Sequence, residues 1–263
     1  MNLSGTIPPH VGNLSFLAWL NMRNNNFHGP LPAQLVKLQR VKYIRLSFNI
    51  FDGEIPSWFG SFPKLQYLSL SHNNLTGEIP SDIFEGLPRL QVLYLAMNRF
   101  SGKIPTSLFE CKELQDIDLT DNKLEGILPE EIGNLTMLKI LQLHNNLIEG
   151  IIPREIGNLF NLEILGLSTN LLKGHLPPSI GNLTHLRILN LYKNSLTEIP
   201  QQIGDLINLE GLDIHDNKLK GHLLPFFCNL THLKLLDASN NFLTILYNIC
   251  TSPFLPSPIP KFL

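Results

Sequence analysis

The side chains best suited to covalent or metal chemistry are few and scattered. The chain of 263 residues holds three cysteines, Cys111, Cys228 and Cys250, and nine histidines, none at a metal-ligand spacing. It contains no G-x-S-x-G, no H-E-x-x-H, no phosphate-cradling G-x-x-x-x-G-K and neither kinase triplet, H-R-D or D-F-G. Cys111 occupies a consensus leucine slot, which predicts a small buried apolar side chain. Cys228 precedes Cys250 by 22 residues and could reach it in a disulfide. The expectation is a chain that is not an enzyme, with no cofactor and no metal. Side chains suited to binding do recur together: Trp19, Asn21, Arg23, Tyr43, Arg45, Phe48, Tyr67, Ser69, Tyr94 and Met97. Aromatics and Arg are the types enriched at binding hot spots. Carboxylates follow at Asp116, Asp118 and Asp121, and again at Asp213, Asp216 and Asp237, where a basic ligand could be received. The competing readings are rings that merely pack against each other and a polar face that is merely solvated.

Charge and composition narrow the classes. Lys and Arg number 20 against 22 Asp and Glu, a net charge of −2 with no basic stripe, which argues against a nucleic-acid partner. No run of about 18 apolar residues is present, so no membrane-spanning segment is expected. The first residues lack the charged region and apolar core of a signal peptide. The bias is toward Leu, at 52 residues, and Asn, at 26.

That bias is a repeat. The pattern L-x-L-x-x-N places Asn25, Asn49, Asn73, Asn98, Asn122, Asn146, Asn170, Asn194, Asn217 and Asn241 at steps of 24 residues, with one step of 25 and one of 23. A second half, x-L-x-G-x-I-P-x-x-I-G-x-L, follows most of them, as in Leu75–Pro80 and Ile152–Leu159. A period of this length with this signature is a leucine-rich solenoid. The L-x-L segment alternates, so both leucines point inward from a short strand and the residues between them point out. Stacked strands then line a concave face. Each Asn sits where the chain leaves the strand, with donors and an acceptor for backbone groups the turn would bury unpaired. Glycine permits the bend after it, and proline ends the segment before the next turn.

The expected organisation is a partial repeat over 1–13, ten tandem repeats over 14–242 and a Pro-rich non-repeat tail over 243–263. The third unit gains a residue near Phe84-Glu85-Gly86 and the eighth, Asn194 to Pro200, is one short, which predicts local bulges. The mid-repeat opening and the Pro-rich end fit a piece of a longer array. Six N-x-[ST] sequons occur, at Asn2, Asn13, Asn74, Asn134, Asn182 and Asn229. Four share one convex slot, which keeps glycans off the concave face, although G-N-L-T is also simply the repeat's own consensus.

The second half of the unit, recurring as Leu3–Pro8, Leu75–Pro80, Phe100–Pro105 and Leu172–Pro177, resembles the plant-specific leucine-rich repeats. Units ending Gly12-Asn13-Leu14-Ser15, Gly133-Asn134-Leu135-Thr136 and Gly181-Asn182-Leu183-Thr184 resemble plant receptor-like Ser/Thr kinases, especially the immune-receptor group. The resemblance implies an α/β solenoid with a parallel sheet on the concave face and short turns or 3-10 segments on the convex one. It implies a ligand-recognition ectodomain fragment at the extracellular side of the plasma membrane, a peptide or protein ligand, and a co-receptor kinase partner. The family's kinase domain has no counterpart in this sequence. The alternatives are an enzyme inhibitor similar to the polygalacturonase-inhibiting proteins, which use about ten such repeats, and a truncated gene product without function.

Overall fold

The structure is a computed structural model and describes residues 3–223 and 225–245. Ten short strands, Trp19–Asn21, Tyr43–Arg45, Tyr67–Ser69, Val92–Tyr94, Asp116–Asp118, Ile140–Gln142, Ile164–Gly166, Ile188–Asn190, Gly211–Asp213 and Leu235–Asp237, form one parallel sheet in sequence order. Pairing is in strict register, so Tyr43, Ile44 and Arg45 lie beside Tyr67, Leu68 and Ser69. The middle residue of each strand from Leu20 to Leu212 is buried, and so are the leucines two positions on, such as Leu46 and Leu70. Period-two alternation thus builds a core of stacked Leu and Ile, and hands the flanking residues to the concave surface.

The asparagines form the ladder that the spacing predicts. The Asn49 amide donates to Leu46 O at 3.0 Å and Ser47 O at 3.3 Å in its own unit, and to Met22 O at 3.0 Å in the unit before. Its Oδ1 accepts from Phe27 N at 3.0 Å, so one side chain closes its own turn and ties it to its neighbour. The same pattern holds at Asn170 and Asn217, among others. The residue before each Asn adopts a positive φ, from 50° at Asp216 to 59° at Asn24, even where it is Phe48, Met97 or Thr169. Bulky and β-branched residues resist that region, so the ladder holds the backbone there against a local preference.

The sequence reading places one sheet, and the structure adds another. The x-L-x-G stretches pair as a second parallel sheet of nine strands, from Ser4–Gly5 to Ser195–Glu198. Lys220–Leu223 and Phe242–Ile245 pair separately. The short eighth unit produces the expected irregularity, a register shift at Gly174/His175 against Ser195–Glu198. On the convex side the 3-10 segments from Pro9–Asn13 to Gln201–Asp205 each follow an extended proline, Pro129 before Glu130–Asn134 for example. The third unit carries its extra residue in a short α-helix, Asp82–Glu85. Adjacent convex segments approach closely: a Cβ on Gly86 would lie 1.7 Å from the Gly60 carbonyl oxygen, so only glycine fits there.

Cys111 is buried as expected and donates from Sγ to Phe84 O at 3.6 Å, and burial pushes its thiol up to about 12. Cys228 is disulfide-bonded. Cys250, Asn2 and the Pro-rich stretch 246–263 lie outside the described residues. Among the described residues no helix is long and apolar enough to cross a membrane.

Candidate functional site

Strand register brings the sequence-selected rings together at the N-terminal end of the concave sheet. Trp19 and Tyr43 stack with centroids 4.4 Å apart, Tyr43 meets Tyr67 at 6.4 Å, and Tyr67 meets Tyr94 edge-on at 5.7 Å. Arg45 lies over this run, 4.3 Å from the Tyr67 centroid and 5.6 Å from that of Trp19. A second stack runs beside it: Arg23 sits 4.8 Å above Phe48, whose ring lies 3.9 Å from His72. The rings therefore do pack on one another, as the competing reading has it, yet a usable surface remains. Trp19 is 51% exposed, and Phe48 and Met97 are exposed as well. Such stacks hold large faces in fixed positions, which lowers the ordering cost of a contact. Asn21 is exposed but turned to local work, its Oδ1 accepting from Arg23 N at 3.1 Å. Ser69 is only 4% exposed, which argues against it as a direct contact.

The middle of the sheet is acidic. Tyr94 donates its hydroxyl to Asp116 Oδ2, linking the ring run to the carboxylates. Burial raises both groups: Tyr94 goes up by desolvation and by its bond to Asp116, and Asp116 goes up by desolvation against the lowering pull of that same bond. Asp118 Oδ1 accepts from Thr120 N at 3.0 Å, and Asp121 accepts from the Asn145 amide. His144, not selected from the sequence, closes this region. Its Nδ1 meets Ser168 Oγ, and burial lowers its pKa despite Asp118 and Asp121 nearby. A Cβ at Gly166 would stand 2.0 Å from His144 Nε2, so the ring takes up the space that glycine leaves.

Toward the C-terminal end, the register sets Asp237 beside Asp213. His215 Nδ1 lies 2.6 Å from Asp213 and 3.7 Å from Asp237, its Nε2 lies 3.6 Å from Asp216, and its ring stacks on Tyr192 at 4.7 Å. Ligand atoms of Asp213, His215 and Asp237 all fall within 4.8 Å of one another; the repeat period already groups the two aspartates, and the structure adds His215 to them. The carboxylates are already engaged, Asp213 by His215 and Asp237 by Ser239 N at 3.0 Å and Oγ at 2.7 Å, so the group reads as a hydrogen-bonded cluster that is internally satisfied. Away from this surface, the sequon residues Asn13, Asn134, Asn182 and Asn229 are exposed at the ends of convex segments, and Asn74 is exposed at the start of a strand in the second sheet.

Two family profiles match the chain: Leucine rich repeat over residues 39–100 and 112–172, and Leucine Rich Repeat over 185–206 and 208–230. No curated protein matches. Among solved structures, the plant peptide hormone receptor RGFR1 in complex with RGF2 is similar at 39% identity and a TM-score of 0.89, over 92% of this chain and 39% of that one. The Arabidopsis receptor kinase HAESA, in complex with the peptide hormone IDA and the co-receptor SERK1, is 32% identical with a TM-score of 0.76, over 92% of this chain and 44% of that one. A plant ice-binding protein is 28% identical with a TM-score of 0.75, over 91% of this chain and 80% of that one. The chain thus spans about two fifths of the length of the receptor chains it matches. With its 24-residue period, its parallel concave sheet and these neighbours, the chain belongs to the leucine-rich repeat family, as an array of the kind found in plant receptor kinase ectodomains.

Proposed function

We propose that the concave face of this chain recognises an extended peptide, as part of a receptor-type ectodomain on the extracellular side of the plasma membrane. The observation that carries the reading is the run of stacked rings from Trp19 to Tyr94 with Arg45 laid over it. It supplies exposed aromatic area and a cation on a rigid sheet. The solenoid alone does not decide function, since a similar one serves an ice-binding protein. Peptide-bound receptors among the neighbours support the choice. On the same reading, the ligand-bound surface recruits a co-receptor kinase, the output is signalling in immunity or development, and glycans at Asn13, Asn134, Asn182 and Asn229 stay on the convex side.

Panning a random dodecapeptide library against the chain tests this. Selected peptides should lose at least tenfold in affinity when Tyr43, Arg45 and Tyr67 are all replaced by Ala, because hot-spot truncations of this kind each cost about 2 kcal/mol or more. Selected peptides that bind the triple variant equally well would place recognition elsewhere.

A further inference from the structure

The outward-facing rows of the concave sheet are charge-ordered. In one row Arg45, Ser69, Tyr94 and Asp118 lie side by side on four consecutive strands. The row beside it runs Tyr43, Tyr67, Val92, Asp116. From the first unit to the fourth the concave positions carry Arg23 and Arg45 and no carboxylate, and the fifth carries three aspartates. Among the described residues neither arginine has a carboxylate at ion-pair distance. A guanidinium held between two rings without a counter-ion is a prepared anion seat.

A second observation points to the same surface. Three buried side-chain polar atoms lack a hydrogen-bond partner among the described residues: Arg45 Nε, Ser71 Oγ and Thr120 Oγ1. All three belong to concave positions between the second and fifth units. Ser71 is only 8% exposed, and the alternation that turns Leu70 inward turns Ser71 toward the concave side. Buried polar groups are nearly always paired, so unpaired ones gathered on a single surface mark where a polar partner belongs.

We infer that the peptide bound here carries an acidic group over Arg45 and a basic side chain over Asp118, about four residues apart. The inference rests on the concave-face reading above. Its spacing comes from geometry: three inter-strand steps of about 4.8 Å make about 14 Å, and an extended chain advances about 3.4 Å per residue. The acidic group accepts from the guanidinium, and the basic one meets Asp118 with Asp116 and Asp121 alongside.

The test is an array of synthetic ten-residue peptides, each with one Asp and one Lys at separations from one to seven, in both orders, on an otherwise constant Ser/Tyr background. The full chain should retain peptides separated by three to five residues about tenfold better than the rest. Arg45→Gln should abolish the dependence on Asp while keeping that on Lys, and Asp118→Asn should do the reverse, so each variant serves as the folding control for the other. Retention without dependence on separation, or an undiminished Asp preference in Arg45→Gln, would overturn the charge order while leaving peptide binding intact. An array that retains nothing, on a chain whose library panning also fails, would overturn the concave-face reading itself.

Discussion

Asn170→Ala should lower the stability of the chain by roughly 1–3 kcal/mol, read as a drop in the urea midpoint at unchanged cooperativity. The Asn170 amide donates to Leu143 O at 2.9 Å, Leu167 O at 3.1 Å and Ser168 O at 3.2 Å, and its Oδ1 accepts from Ile148 N at 3.1 Å. Alanine takes the acceptor from the Ile148 N–H, at about 1–3 kcal/mol for a buried donor left unpaired, while Leu143 O, Leu167 O and Ser168 O each keep a second donor in Asn146 Nδ2, Asn194 Nδ2 and Asn145 N. The partners belong to two adjacent units, so the loss removes both a turn and an interface, and solenoid stability is built from those two terms. Asn170→Asp should do no better, since a carboxylate keeps the acceptor but supplies no donor and buries a charge. A cost below about 1 kcal/mol would mean that the ladder is decoration on a sheet stable without it.

Leu143→Ala should cost about 2–5 kcal/mol, whereas its neighbour Gln142→Ala should stay within about 0.5 kcal/mol. Leu143 is 1% exposed in the core between adjacent units, and Gln142 ends a concave strand with its side chain partly in solvent. The contrast isolates strand alternation, because the two substitutions differ by one position and by which face they strip. Equal effects in paired urea titrations would contradict the assignment of faces on which the whole binding surface depends.

The legible part of the fold is the part that repeats as a residue type. Asn49, Asn73 and Asn170 read from the sequence because each needs the same amide to bridge the same backbone groups, and Leu46 and Leu70 because a core slot rejects polar atoms. The second sheet is not legible. Its strands hold their pairing through backbone groups, and the side chains between, such as His28, Thr76 and Lys173, face outward and carry no common pattern. The positive φ before each Asn is masked for the same reason: Phe48 and Thr169 occupy it, although Asn24, Asp121, Asn145, Asp216 and Asn240 hint at it through their tolerance of that conformation. In the candidate site, the column Trp19, Tyr43, Tyr67 follows from the period alone. That Ser69 is covered, that Arg45 turns back over Tyr67, and that His215 joins the aspartates depend on side-chain packing, which spacing along one chain does not encode.

Hydroxyl-radical footprinting of the chain with a library-selected peptide tests the concave surface most directly. The expected result is protection of Trp19, Tyr43, Tyr67 and Met97 on peptide addition, with the exposed convex side chains Met137 and Phe160 oxidised as before. Protection of Met137 and Phe160 with the concave rings unchanged would contradict it, and would move recognition to the opposite face of the solenoid.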